Sequence, residues 1–331
     1  MSEVRARVVS QEKGLYKISC DLGLKQAAVS GKFRYEALTV SSFPAVGDYV
    51  LAEWPKDGSP ATIRSLFPRK SCFLRKAAGS AKQEQVVAAN IDTVFLCMSL
   101  NQNFNLRRLE RYLSIAYDSG AEPVVVLTKA DLCADVEEKI AQVRNAAPDA
   151  EILAVSSLTN EFDAVLPYLQ PGKTAAFLGS SGVGKSTLIN RLTGEETMAT
   201  GAIGNEDKGR HTTTHRELIA LASGAILIDT PGMRELGLWD SSSGIDTAFR
   251  DIEELSHACK FSDCTHTKEP GCAIQNAIKT GTLDMARWDS FRKLKSENAA
   301  AADSRRDLEA KREKFKEISK INKASRKSRR D

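Results

Sequence analysis

Gly179-Ser180-Ser181-Gly182-Val183-Gly184-Lys185-Ser186-Thr187 is the stretch on which the reading of this chain turns. It follows a short apolar run, residues 174–178, and opens a helical pattern over residues 188–192. Strand, glycine loop and helix in that order form the setting of a phosphate-binding loop. Glycines at 179, 182 and 184 let the backbone approach a phosphate closely. Successive N–H groups then make an anion nest, reinforced by the positive end of the helix. Lys185 has the reach for β- and γ-phosphates, and the Ser186 hydroxyl suits Mg²⁺. The alternative, a glycine-rich turn that binds nothing, leaves the lysine and the strand–helix setting unexplained.

A phosphate loop alone does not separate GTPases from ATPases and small kinases. Two further motifs do. Asp229-Thr230-Pro231-Gly232 ends an apolar run, and a DxxG so placed suits γ-phosphate sensing: Asp229 toward Mg²⁺, the Gly232 N–H toward phosphate. Thr128-Lys129-Ala130-Asp131 follows a second apolar run, 123–127, and has the form of a guanine reader. The Asp131 carboxylate accepts from both the ring N–H and the exocyclic amine of guanine, which adenine cannot supply. Ser156-Ser157, after residues 152–155, has the form of a backbone contact to the guanine carbonyl. In the usual order the phosphate loop comes first; here the guanine motifs precede it. The unit therefore reads as a circularly permuted GTPase, since permutation relocates the termini and preserves the sheet.

On either side the pattern changes. Residues 1–72 carry five short strand-like runs (4–9, 15–20, 26–29, 49–54 and 61–66), which predict a small barrel of the OB type. Gly31-Lys32-Phe33-Arg34 sets an aromatic between cations, suited to stacking on a base or simply forming a basic edge. Residues 68–85 read as a linker. Residues 73–238 form the α/β GTPase unit, with alternating apolar runs and amphipathic helices. It contains a long loop, 195–214, of the length that is usually functional or disordered. Residues 239–331 read as helical and charged. They contain Cys259-x₄-Cys264-x-His266-x₅-Cys272, three thiolates and an imidazole, the donor set of a closed structural zinc site. Buried reduced cysteines are the bland alternative, and His257 is a competing ligand. Cys20, Cys72, Cys97 and Cys133 fall outside the pattern. Residues 311–331 carry ten Lys/Arg against three Asp/Glu, a solvated helix or an RNA-phosphate arm.

Composition sets limits. Residues that are 42% hydrophobic and 27% charged, with no apolar run near a bilayer's thickness and no apolar leader, predict a cytoplasmic protein with no membrane contact. Seven cysteines without a disulfide spacing predict a reducing compartment. Nothing in the pattern suggests an obligate dimer, so a monomer is expected.

The permuted order, the GSSGVGKST loop, Lys208-Gly209-Arg210-His211-Thr212-Thr213-Thr214-His215, DTPG and the cysteine spacing resemble the RsgA (YjeQ/YloQ) family of small-ribosomal-subunit biogenesis GTPases. The resemblance extends to residues 31–34, Val46-Gly47-Asp48, Ala89-Asn90-Ile91-Asp92 and 104–112. It implies an OB-fold, a permuted GTPase and a zinc domain in that order. It also implies GTP hydrolysis to GDP, stimulated by the small subunit and its rRNA late in maturation. The glutamine that usually follows DxxG to orient water is replaced by Met233, whose thioether cannot do so. The resemblance marks His211 as the catalytic group instead, although ordering the loop or binding the ribosome is an alternative. Thr212 and Thr213 are the candidates for the switch threonine on Mg²⁺, with Thr213 preferred. The rival readings are a P-loop kinase or ATPase, against which Asp131 argues, and an RNA-binding scaffold with a nucleotide lock.

Overall fold

The computed structural model describes residues 2–12, 14–37, 39–76, 84–156, 160–194, 217–229 and 242–303. Strands β1 (Ser2–Glu12), β2 (Leu15–Cys20), β3 (Gly23–Val29), β4 (Tyr49–Trp54) and β5 (Ala61–Leu66) make a closed barrel. Their order is β1-β2-β3-β5-β4, and β4 pairs back on β1. That is the OB-type barrel the short runs predict. Period-two alternation builds it: Val50, Ala52 and Trp54 on β4 point inward and their neighbours are half-exposed. Val8, Ile18, Val50 and Ile63 fill its core.

Helix α1 (Gly31–Glu36) follows β3, and the Ser30 hydroxyl caps it by accepting from the Phe33 N–H at 3.1 Å. Of the two readings of residues 31–34, base stacking or a basic edge, the packing of half-buried Phe33 favours the basic edge. The Phe33 ring packs on the barrel core, 6.0 Å from the Phe43 ring. The exposed aromatic is Tyr35, 86% accessible, on the helix that also exposes Lys32 and Arg34.

The segment after the barrel is not a loose linker. Arg69 donates Nε and one terminal NH₂ to the two oxygens of fully buried Asp48, at 2.8 and 2.7 Å. β6 (Cys72–Lys76) and β7 (Glu84–Ala89) then pair as an antiparallel hairpin. Gly47 sits at φ +91°, and a Cβ there would lie 2.1 Å from the Ala89 carbonyl oxygen. Only glycine allows the barrel to press so closely on β7. Asn90, itself at φ +56°, donates its amide to the Gly47 carbonyl and accepts from the Lys70 N–H. Buried Arg7 donates to Thr174 Oγ1 at 2.8 Å, and β1 continues the main sheet by pairing Ser10 with Glu217.

The main sheet holds β8 (Thr93–Ser99), β9 (Glu122–Thr128), β10 (Glu151–Val155), β11 (Thr174–Leu178), β12 (Glu217–Ala220) and β13 (Ile226–Asp229). Its order is β10-β9-β8-β11-β13-β12; all are parallel except β12. β8 is buried along its whole length, as a central parallel strand covered on both faces must be. Parallel strands send the loops after β9, β10, β11 and β13 to one end, where ligands of open α/β sheets bind. Helices α2 (Leu106–Ser119), α3 (Val136–Ala146) and α4 (Lys185–Thr193) connect them.

The C-terminal unit comprises α5 (Ser242–Ala248), α6 (Arg250–His257), α7 (Ala273–Thr280) and a helix α8 over residues 285–303. It rests on α2. Gly244 lies so near the α2 backbone that a Cβ would meet the Ser114 carbonyl. Ile245, Phe249, Ile252, Ile274 and Trp288 share one apolar core with Leu109, Leu113 and the sheet. No helix among the described residues is long and apolar enough to cross a membrane.

Candidate nucleotide site and metal centre

The glycine loop runs from the end of β11 into α4, as its spacing predicts. A Cβ on Gly179 would stand 2.5 Å from the Cys97 carbonyl oxygen, so the loop can lie against β8 only with glycine there. Gly182 and Gly184 take positive φ, +77° and +95°, and Gly184 begins α4. Ser181 and Gly182 are exposed, Val183 plugs the core, and Ser186 and Thr187 occupy the first turn of α4, half-buried. Lys185 is buried and donates to the carbonyls of Gly179 at 2.7 Å and Ser180 at 2.5 Å. Its ammonium therefore lies across the loop's mouth. Burial pushes the thiol of Cys97, beneath the loop, up to about 12, so it is a packing group and no nucleophile.

The guanine-reader candidates converge on this loop. The Thr128 hydroxyl, at the end of β9, donates to the Val183 carbonyl at 2.5 Å. Lys129, at φ +60°, turns the chain and donates Nζ to the Gly182 carbonyl at 2.9 Å. Asp131 follows on a short 3₁₀ turn, half-exposed or more, and accepts at 2.7 Å from the Ser156 hydroxyl after β10. Sequence reasoning gave Ser156 a backbone contact; its side chain also fixes the orientation of the Asp131 carboxylate. Asp229 closes β13 at the same end of the sheet. Gly232, His211, Thr212, Thr213, Met233, Ser157 and the basic tail lie outside the described residues.

Sequence reasoning missed Arg108. It sits on the first turn of α2, whose N-cap Asn105 accepts from its N–H, and its guanidinium donates to Ser180 Oγ at 3.1 Å. The two residues are 72 apart in the chain, so no local pattern pairs them. Equally hidden is the junction with the C-terminal unit. Buried Arg287 donates to both oxygens of Asp251 and to Glu110, and Arg107 donates to the same Glu110 oxygen at 2.7 Å. Burial raises the Glu110 carboxyl above the usual carboxylate range, against the pull of Ser290 and both arginines.

Cys259, Cys264, His266 and Cys272 come together as the spacing predicts, their donor atoms all within 4.8 Å of one another. Cys259 Sγ lies 3.4 Å from His266 Nδ1 and 3.9 Å from Cys272 Sγ. Those separations match the edges of a tetrahedron around one ion with metal–sulfur distances near ~2.3 Å. His266 reaches inward through a left-handed φ of +59°, and Gln275 holds its carbonyl at 2.7 Å. Trp288 packs edge-on against its ring. The Ala273 N–H points at Cys259 sulfur, the outer support a thiolate ligand needs. His257 is exposed at the end of α6 and outside the cluster. The four residues could hold one metal ion.

Residues 66–239 match the family described as RsgA GTPase. The chain belongs to that family. Among curated RsgA relatives, "Small ribosomal subunit biogenesis GTPase RsgA 2" of Lactiplantibacillus plantarum is 46% identical, over 93% of this chain and 87% of the relative. "Small ribosomal subunit biogenesis GTPase RsgA" of Opitutus terrae is also 46% identical, over 90% and 84%. In solved structures, YloQ, titled a circularly permuted GTPase, is similar with TM-score 0.63 and 25% identity, covering 89% of this chain and 95% of that one. YjeQ from Thermotoga maritima shares the fold with TM-score 0.65 and 24% identity, over 88% and 97%. This RsgA-family chain is thus a GTPase whose barrel, permuted nucleotide unit and helical Cys/His unit follow the order that its motifs predict.

Proposed function

We propose that this RsgA-family GTPase hydrolyses GTP to GDP and phosphate during maturation of the small ribosomal subunit, and that the subunit and its rRNA stimulate the reaction. The observation that carries the reading is the convergence of Thr128 and Lys129 on the glycine loop, with Asp131 oriented by Ser156 beside it. In this assignment Asp131 reads the guanine edge. Backbone N–H groups of residues 179–187 cradle the α- and β-phosphates, and Lys185 leaves its loop carbonyls for the β- and γ-phosphates. Ser186 and Thr213 would hold Mg²⁺, which would supply charge to neutralise the phosphates. Asp229 and Gly232 report the γ-phosphate, and His211 orients the attacking water in place of the missing glutamine. Cys259, Cys264, His266 and Cys272 hold one structural zinc; a closed set of four protein donors leaves no position for substrate.

The small-subunit assignment rests on the names of the relatives, 46% identical over nine-tenths of this chain. Lys32, Arg34 and Tyr35 on the barrel, and the cations of residues 311–330, are the groups suited to rRNA. The protein works, in this reading, as a cytoplasmic monomer. Phosphate release from GTP and from ATP tests the enzyme assignment. Turnover of GTP alone is expected, and equal turnover of ATP overturns the role of Asp131.

A further inference from the structure

Three arginines occupy the exposed side of α2 within five residues, and their partners differ in kind. Arg107 meets Glu110 at 2.7 Å and Asp284 at 3.5 Å. Arg111 meets Glu297 with two parallel bonds, 2.7 and 2.9 Å. Arg108 faces no carboxylate among the described residues. Among the described residues its guanidinium makes one hydrogen bond, to the neutral hydroxyl of Ser180 in the glycine loop. The same Ser180 gives its carbonyl to Lys185. One loop residue is therefore held by two cations.

A half-buried guanidinium offers five N–H donors and carries an obligate charge. Left without a counter-ion it loses solvation and gains little in return. Here the missing anion has an evident source, because the loop it touches is built to receive phosphate. Beside this contact lies a water-sized cavity of about 10 Å³, lined in part by Arg108, Tyr112, Asn105 and Ser180.

We propose that Arg108 is a phosphate-facing cation of the nucleotide site, supplied from α2 within the same chain, whose counter-charge is the terminal phosphate of the bound triphosphate. The proposal rests on the reading of residues 179–187 as the phosphate loop. Arg108 then favours triphosphate over diphosphate, and it offsets charge on the terminal phosphoryl group as a water oxygen bonds the γ-phosphorus, the bridging Pγ–O bond breaks with its electron pair leaving on GDP, and the water's proton passes to solvent. This is charge supplied within the site, distinct from the loop's backbone and from Lys185.

The competing role is a brace that merely holds Ser180, and substitutions separate the two. Arg108→Gln removes the charge and keeps a donor; Arg108→Lys keeps the charge; Ser180→Ala removes the brace and leaves the charge. For Arg108→Gln we expect affinity for a non-hydrolysable GTP analogue to fall about tenfold or more, with GDP affinity changed much less and kcat lowered. Arg108→Lys should retain most of both, and Ser180→Ala, which removes the brace inside the loop, should change GDP and the GTP analogue to the same degree. Lys185→Ala is the control for the underlying reading. If it leaves nucleotide binding intact, the phosphate-loop assignment itself fails. If it abolishes binding while Arg108→Gln matches wild type, only the role of Arg108 falls. Equal weakening of GDP and the GTP analogue by Arg108→Gln and Ser180→Ala alike would also overturn it, in favour of the brace.

Discussion

Replacing Arg287 by Ala strikes the junction between the nucleotide unit and the C-terminal unit. Arg287 is 6% exposed and its guanidinium serves Asp251, Glu110 and the carbonyls of Ala146 and Ala248. Asp251 is partly solvated and can turn to water. Glu110 is not, with 0% exposure and one carboxylate oxygen that has no hydrogen-bond partner even in the intact protein. The substitution leaves that carboxylate with Arg107 as its remaining cation. Removing one partner of a buried ion pair costs about 3–5 kcal/mol, a large share of the ~5–15 kcal/mol that holds a domain together. The pH dependence follows from burial. Glu110 already titrates above the usual carboxylate range, and loss of Arg287 raises it further. A carboxyl whose folded pKa lies above its unfolded value keeps its proton longer in the folded state. Its contribution is full below the unfolded pKa and falls as pH rises through the folded one. The penalty of Arg287→Ala should therefore be larger at pH 7.5 than at pH 5. Denaturant unfolding of wild type, Arg287→Ala and the apolar pair Glu110→Leu/Arg287→Met at both pH values reads this directly. The apolar pair should recover most of the loss. A loss under about 1 kcal/mol, or one equal at both pH values, would refute the claim that Arg287 compensates a buried charge.

Three more outcomes are expected. Asp131→Asn exchanges an acceptor for a donor; GTP affinity should fall about tenfold to a hundredfold while xanthosine triphosphate, with a carbonyl where guanine has its amine, gains, as competition with a labelled nucleotide will read. Chelation of the bound metal should loosen α7 and α8, seen as altered Trp288 fluorescence in a Trp54→Phe/Trp239→Phe background, because His266 packs on Trp288; re-addition of zinc should restore it. His211→Ala should lower kcat with nucleotide affinity nearly unchanged, measured by single-turnover phosphate release and nucleotide titration.

Much of this was legible in the chain because it is local. A glycine loop between a strand and a helix, TKAD after an apolar run and a Cys₃His spacing each lie within about a dozen residues, and period-two alternation marked the barrel strands. The permuted order was legible for the same reason, since motif order is itself sequence. What stayed hidden depends on residues far apart. Phe33 lies between two cations and looks available for stacking, yet packing against Phe43 claims its ring. Residues 68–71 look like a linker because the partner of Arg69 is Asp48. The contacts Arg108–Ser180 and Arg287–Glu110 join α2 to the loop and to the C-terminal unit across 72 and 177 residues, which no local periodicity encodes. Through these contacts α2 physically connects the glycine loop with the C-terminal unit.

The central claim is a guanine-specific hydrolase whose site is completed by the small ribosomal subunit. The direct measurement is GTP turnover with purified small subunits, with large subunits and with neither, at one salt concentration. The account predicts slow turnover alone, strong acceleration by small subunits, on the order of 10³-fold where a partner completes the site, and none by large subunits. GTP turnover that small subunits leave unchanged would contradict it.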